Sequence, residues 1–243
     1  MNLIIDIGNT RGKIAVFKED MLVKLAVFEK EKLVSEVKKN ISKYDISNSI
    51  ISSVTNISKD IFEEIKNLGP FLELNSETPV PFTNLYETPN TLGVDRIALA
   101  AGAVAKYPNQ NKLVIDAGTC ITFDFVNKKD EYLGGAISPG VKIRYQALHT
   151  FTSKLPLLEM EYPPALIGNN TNSAIHSGII NGVCSEIDGI INKYKRQYGD
   201  LTVVLTGGDT NFLAKQLKSS IFANPNFILE GLRTILIYNK TND

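Results

Sequence analysis

Short apolar runs alternate with polar breaks from the first residues onward, and the period of the pattern changes along the chain. Asn2–Asp6, Lys13–Phe17 and Leu22–Phe28 are rich in aliphatic and aromatic residues and lie close together, which predicts three successive strands. The charged stretch Lys30–Asn40 carries Leu33 and Val37 on one helical face, and the Lys/Glu-rich remainder reads as a solvated helix surface. A strand is expected at Ser49–Val54, a helix at Asp60–Leu68 and a short strand at Phe71–Leu74. Thr78-Pro79-Val80-Pro81-Phe82 cannot be helical and reads as an extended connector. A helix should start near Gly93–Arg96 and run through Ala105. It is small and apolar nearly all round, so it should be buried, at the junction between halves, and it stops before Pro108.

The second half repeats the plan after the polar break Asn109–Lys112. Leu113–Asp116, Cys120–Val126 and Tyr132–Ser138 predict three strands, with Asp130 and Glu131 in a turn, and a helix follows Ser138-Pro139-Gly140. Pro156 and Pro163-Pro164 bound a loop. Asn172–Arg196 predicts a long helix, because Ile175, Ile179, Val183, Ile187, Ile190, Ile191 and Tyr194 keep helical spacing. Ala174, Gly178 and Gly182 form a small-residue ridge on it. Thr202–Leu205 reads as a strand, followed by Gly207-Gly208, a helix to Leu217 and a last helix near Leu229–Tyr238. Three strands, then alternating helix and strand, twice over, is similar to the layout of duplicated ribonuclease-H-like domains in the actin, sugar-kinase and heat-shock ATPase superfamily. The expected fold is therefore α/β, a duplicated mixed sheet flanked by helices, with domains at 1–108 and 109–243.

Composition narrows the function classes. The chain has 243 residues, long enough for one full core or two small ones. Lys+Arg and Asp+Glu are both 26, and this balance argues against nucleic acid as a partner. The longest apolar stretch, Ile97–Ala105, is too short to cross a bilayer, and Asp6 arrives too early for a signal peptide, so a cytoplasmic protein is expected. Cys120 and Cys184 form no CxxC pair and read as reduced thiols. His149 and His176 are isolated, which argues against a histidine metal site.

Chemistry concentrates in a few short motifs. Asp6-Ile7-Gly8-Asn9-Thr10 and Asp116-Ala117-Gly118-Thr119 each join an apolar run to a returning strand. A strand-end carboxylate can hold a cation, and glycine backbone, amide and hydroxyl groups can bind phosphate oxygens, to which Lys13 would add positive charge. The plainer reading is an ordinary hairpin with its aspartate satisfied by turn amides. The second copy favours two similar halves facing each other across a phosphate site. Thr206-Gly207-Gly208-Asp209 ends a strand and opens a helix. Its glycines would admit a base or ribose, and Asp209 could instead simply cap the helix. In Gly93-Val94-Asp95-Arg96 a carboxylate can take a proton from an alcohol and a guanidinium can bind a carboxylate. Asp95 could equally serve only the helix N-terminus.

Gly93-Val94-Asp95-Arg96, together with Tyr86, the two aspartate motifs, Ser138-Pro139-Gly140 and Gly168-Asn169-Asn170-Thr171, closely resembles type III pantothenate kinase over essentially the whole chain. The resemblance implies ATP-dependent phosphorylation of pantothenate to 4′-phosphopantothenate, the first step toward coenzyme A. It implies Asp95 as catalytic base. It gives Asp6, Gly8, Asn9, Thr10 and Lys13 to the ATP phosphate loop, with Thr119 as a second ATP contact and Gly207 and Gly208 beside adenosine. Tyr86, Gly93, Val94, Asp95, Arg96 and Thr171 fall in the pantothenate site. Asp6 would serve Mg2+ and Asp116 a monovalent cation, K+ or NH4+, in a homodimer. Cys120, where alanine is usual, and Gly12, where a bulkier residue often sits, depart from the common pattern without removing a functional group. The competing expectation is a catalytically silent, nucleotide-binding regulatory relative of the same fold, which should have lost at least one of Asp6, Asp95, Asp116 or Arg96.

Overall fold

Aliphatic runs too short for a helix pair with their neighbours as strands, and the alternation of their side chains decides which face each presents. The computed structural model describes residues 1–9, 11–55, 59–67 and 71–241. These fall into two units, the first made of 1–108, 130–132 and 227 onward, the second of 109–129 and 133–226.

In the first unit the chain runs β1 (Asn2–Ile7), β2 (Gly12–Lys18), β3 (Met21–Phe28), α1 (Leu33–Lys43), β4 (Asn48–Ser53), α2 (Lys59–Lys66), β5 (Phe71–Glu73), β6 (Thr83–Asn84) and α3 (Val94–Lys106). The sheet order is β3-β2-β1-β4-β5. β1 is antiparallel to β2 and parallel to β4. Leu3, Ile5, Ile7 and Ile51 point to one face and pack with Leu33 and Val37 of α1 and Ile65 of α2. The expected helix end at Leu68 lies outside the described residues.

The second unit runs β7 (Asn111–Ala117), β8 (Cys120–Val126), β9 (Glu131–Pro139), α4 (Val141–Thr150), α5 (Thr171–Tyr198), β10 (Leu201–Thr206), α6 (Thr210–Leu213) and β11 (Phe222–Ala223). Its strands are ordered β9-β8-β7-β10-β11, the same plan as the first unit. β7 is antiparallel to β8 and parallel to β10. Ile175, Ile179, Val183, Ile187 and Ile191 of α5 are buried against Leu113, Ile115, Phe123 and Phe125. Each such side chain contributes roughly 1.5–3 kcal/mol. Asn170 and Ser173 form a capping box that starts α5.

Two expectations differ. The second domain expected at 109–243 gives up 130–132 and the last helix, α7 (Phe227–Thr241), to the first unit. The reason is packing. Gly102 of α3 and Gly231 of α7 let the two helices touch through backbone, and a Cβ on Gly231 would lie 1.9 Å from the Ala98 carbonyl oxygen. Residues 131 and 132 stay with the first unit because β6 pairs with them. The helix expected to reach Leu217 ends at Leu213 and continues as turns, in which the Gln216 and Leu217 amides still donate to Leu213 O, before the amides of Lys218 and Ser219 turn to the Asp188 carboxylate on α5. No helix among the described residues is long and apolar enough to cross a membrane.

Candidate active site

β1 carries Asp6 to its end, where it is buried at 8% exposure. In register, Lys13 lies beside it on β2 and Ser52 on β4, so Lys13, Asp6 and Ser52 form a row across three strands on one sheet face. The Gly8 amide donates to the Arg11 carbonyl at 3.1 Å and closes the turn, with Asn9 exposed. Thr10, expected to contact phosphate, lies outside the described residues. Gly12 has a packing reason: a Cβ there would sit 2.4 Å from the Phe28 ring.

α3 begins at the residues singled out for substrate. Gly93 is its N-cap, Val94 and Asp95 are half-buried in its first turn, and Arg96 is buried. The Arg96 amide donates to Asp95 Oδ1 at 2.8 Å, so Asp95 does serve the helix start. A Cβ on Gly93 would lie 2.4 Å from that same oxygen, which means glycine makes room for the carboxylate in its present pose. The Arg96 guanidinium carbon sits 5.6 Å from the centre of the Tyr86 ring, which is tilted against Tyr132, 6.1 Å away centre to centre. The Tyr86 amide donates to Asn84 Oδ1. Tyr86, Gly93, Asp95 and Arg96 are thus brought together by a strand turn and one helix start.

In the second unit Asp116 ends β7 half-buried, with Thr122 and Thr206 beside it in register on β8 and β10. Gly118 donates to the Cys120 carbonyl at 2.9 Å, leaving Thr119 and Cys120 exposed. Gly140 presses on this turn from the Ser138-Pro139-Gly140 corner. Its amide donates to Thr119 O, and a Cβ would fall 2.2 Å from Gly118 O. Arg144 fixes that corner by donating to Pro139 O, Ser138 Oγ and Glu186. Gly207 has φ +96° and lies against Asp116, where a Cβ would be 2.3 Å from both Asp116 Oδ1 and Ala117 O. By contrast, a Cβ on Gly118 or Gly208 would meet nothing within 4 Å, leaving space for a ligand beside each.

Asp209 makes no side-chain cap to α6, contrary to the simpler sequence reading, and Thr210 Oγ1 bonds Gly207 O at 2.7 Å instead. Burial raises the Asp209 pKa, and nearby Lys142 opposes this. Thr171 is exposed at the first turn of α5, and Gly168 abuts the backbone of Ala174. Cys184 is buried, and burial with nearby Asp188 pushes its thiol up to about 11. Sequence reasoning gave Ser52 and Thr122 no role and read Thr206 only as a strand end. Only their register beside the two aspartates marks them, and strand pairing is not written in local pattern.

Among the described residues no three His, Cys, Asp or Glu side chains gather as a cation cage. The donors do suit cations held jointly with phosphate: Asp6 is a single hard carboxylate, as Mg2+ sites in kinases use, and Asp116 adjoins the Ala117 carbonyl across Gly207. A cavity of about 600 Å³ is lined by Ile51, Ser53, Thr55, Phe62 and Leu74, with Lys59, Glu63 and Glu73. None of the expected site residues lines it. Alternation along β4 puts Ile51 and Ser53 on the face opposite Ser52 and Asp6, so the chemistry is assigned from the aspartate rows and the α3 start rather than from this cavity.

Comparison with known proteins agrees with the motifs. The family model for type III pantothenate kinase matches residues 2–193. A type III pantothenate kinase of Flavobacterium johnsoniae is 47% identical over 244 residues, covering 100% of both chains. One of Christiangramia forsetii is 49% identical over 242 residues, covering 99% of this chain and 100% of its own. Among solved structures, an activator of 2-hydroxyisocaproyl-CoA dehydratase from Clostridium difficile, with bound ADPNP, has TM-score 0.59 at 11% identity, covering 99% of this chain and 96% of its own. A glucokinase from an Antarctic psychrotroph has TM-score 0.52 at 12% identity, covering 98% of each chain. At such identities these two show the fold alone, a duplicated ribonuclease-H-like α/β architecture. The sequence matches go further: the chain belongs to the type III pantothenate kinase family, whose members phosphorylate pantothenate in coenzyme A biosynthesis.

Proposed function

We propose that Asp95 is the base of this kinase and that Tyr86, Gly93, Val94 and Arg96, with Thr171, bind pantothenate. The observation that carries the reading is the start of α3, where Gly93 makes room for the Asp95 carboxylate and Arg96 lies over Tyr86. Arg96 pairs its planar fork with the pantothenate carboxylate and so orients the hydroxyl end. Asp95 accepts the hydroxyl proton as that oxygen bonds to the γ-phosphorus and the bond from phosphorus to the ADP oxygen breaks. Asp6, Gly8, Asn9, Thr10 and Lys13 hold the ATP phosphates, Thr119 adds a second contact, and Gly207 and Gly208 adjoin the adenosine. Asp6, Asp95, Arg96 and Asp116, whose loss would mark a silent relative, are all present.

When bound, Mg2+ at Asp6 and K+ or NH4+ at Asp116 supply positive charge that offsets the build-up on the phosphates. A carboxylate with backbone and hydroxyl oxygens suits a large monovalent ion, because such ligands do not impose tight octahedral geometry. We also infer a homodimer in the cytoplasm, where ATP is available. Ala174, Gly178 and Gly182 are exposed along α5, and a Cβ on either glycine would meet nothing within 4 Å, so this ridge is open to a second copy.

The test is purified protein with ATP, Mg2+, K+ and pantothenate, with mass detection of 4′-phosphopantothenate. Product is expected with K+ or NH4+ and little with Na+, and Asp116→Ala should remove the cation dependence. No product beside a working control kinase overturns the assignment of activity to this chain. Equal rates in Na+ and K+ overturn the Asp116 role. A monomer mass by light scattering, at full activity, overturns the dimer.

A further inference from the structure

Ser52 is fully buried, and its Oγ makes no hydrogen bond among the described residues. Unmatched buried hydroxyls are rare, because desolvation of the group is not recovered. Serine also gives up packing that valine would supply in a central strand. The register sets Ser52 directly beside Asp6, one strand over and on the same sheet face. Neighbouring strands lie about 4.8 Å apart, so a rotamer change alone brings the hydroxyl to the carboxylate. The duplicated plan repeats this: Thr206, 2% exposed, occupies the same place beside Asp116. Both halves therefore set a hydroxyl next to the strand-end aspartate.

We propose that Ser52 is a positioning residue that donates its hydroxyl hydrogen to one oxygen of Asp6, holding the other toward the nucleotide phosphates and their cation. This rests on the kinase reading of Asp6. An ionised carboxylate only accepts, with several lone pairs on two oxygens, and one charge-assisted bond from Ser52 fixes its rotation without using the oxygen the ligand needs. Lys13, on the other side of Asp6, supplies charge, and Ser52 supplies direction.

The test uses the full chain, three Ser52 variants, and Asp6→Asn with and without Ser52→Ala. Calorimetry gives the affinity for Mg-ATP and, separately, for pantothenate. Melting of the ligand-free protein reports packing. Ser52→Ala should melt no lower than the parent yet bind Mg-ATP roughly 10-fold more weakly, the scale of a lost bond to a charged group. Pantothenate affinity should not change. Ser52→Thr keeps the hydroxyl and should recover nucleotide affinity whatever its melting point. Ser52→Cys keeps the size but is a poor donor, and should bind like Ser52→Ala. In an Asp6→Asn background, Ser52→Ala should add little further loss. Unchanged Mg-ATP affinity in Ser52→Ala, or equal losses with and without Asp6, overturns the proposal. If the parent binds Mg-ATP but makes no phosphopantothenate, the substrate assignment falls while the affinities still decide Ser52. A parent that binds no nucleotide overturns both.

Discussion

Asp6 and Asp116 occupy the same place in two copies of one strand plan, yet their neighbours differ in kind. Asp6 stands between a cation and a hydroxyl, Lys13 and Ser52, whereas Asp116 stands between two hydroxyls, Thr122 and Thr206. The turns differ as well. Among the described residues a Cβ on Gly8 would meet only the Arg11 carbonyl at 3.2 Å, but Gly207 and Gly140 press backbone against the Asp116 turn. The first half thus sets a cationic side chain beside its carboxylate, with a looser turn. The second leaves its carboxylate with only uncharged hydroxyl neighbours and is tightly held. Duplication supplied two equivalent strand ends, and a few neighbouring residues made them chemically unequal.

The sharpest way to break this comparison is to ask whether the base belongs to the first unit alone. Asp95→Asn keeps the bond from the Arg96 amide but cannot take a proton, so turnover should fall about 10²–10⁴-fold with little change in pantothenate affinity. Near-normal turnover would leave Asp95 with only its role at the helix start.

The two turns should also differ in tolerance. Gly207→Ala combines an unfavourable φ with a clash at 2.3 Å and should cost roughly 3 kcal/mol in urea unfolding. Gly8→Ala should cost under about 1 kcal/mol. Equal costs would erase the contrast between a tight and a roomy turn.

Gly93→Ala separates stability from geometry within the first unit. The clashing atom is the end of the Asp95 side chain, which can swing away, so the protein should melt almost normally. The displaced carboxylate should lower turnover roughly 10–100-fold. Full activity would show that the pose seen here is not the working one.

The smallest effect concerns pH. Burial raises the Asp209 pKa above its unfolded value of about 3.9. Between those two values the unfolded chain has lost its proton while the folded chain keeps it, so this group makes stability fall as pH rises. Asp209→Asn should therefore melt somewhat higher than the parent at pH 7, and the gain should vanish below about pH 3.9. A gain that persists at low pH would point to packing instead of charge.

Local pattern was enough for most of the fold, because strands β1–β4 and β7–β10 and helices α3 and α5 carry their period in consecutive residues. Short elements were not legible. β6 and β11 are two residues long, held by pairing to distant strands, and the segment after α6 is drawn away at Lys218 and Ser219 by Asp188, on another helix. The last helix looked like part of the second half because it follows it in sequence, and its packing on α3, β1 and β4 assigns it to the first.

The sequence by itself determined the family, the duplicated strand plan and the identities of the acidic, basic and glycine residues that carry the chemistry. Those rest on residue type and spacing, which survive without coordinates. Tertiary structure alone decided that Ser52 and Thr206 stand beside the two aspartates, that Arg96 lies over Tyr86, and that Gly93 and Gly207 shape the carboxylates next to them. Each of these depends on strand register or on a contact of a few ångströms, and a one-residue slip in register would turn every such side chain to the opposite face.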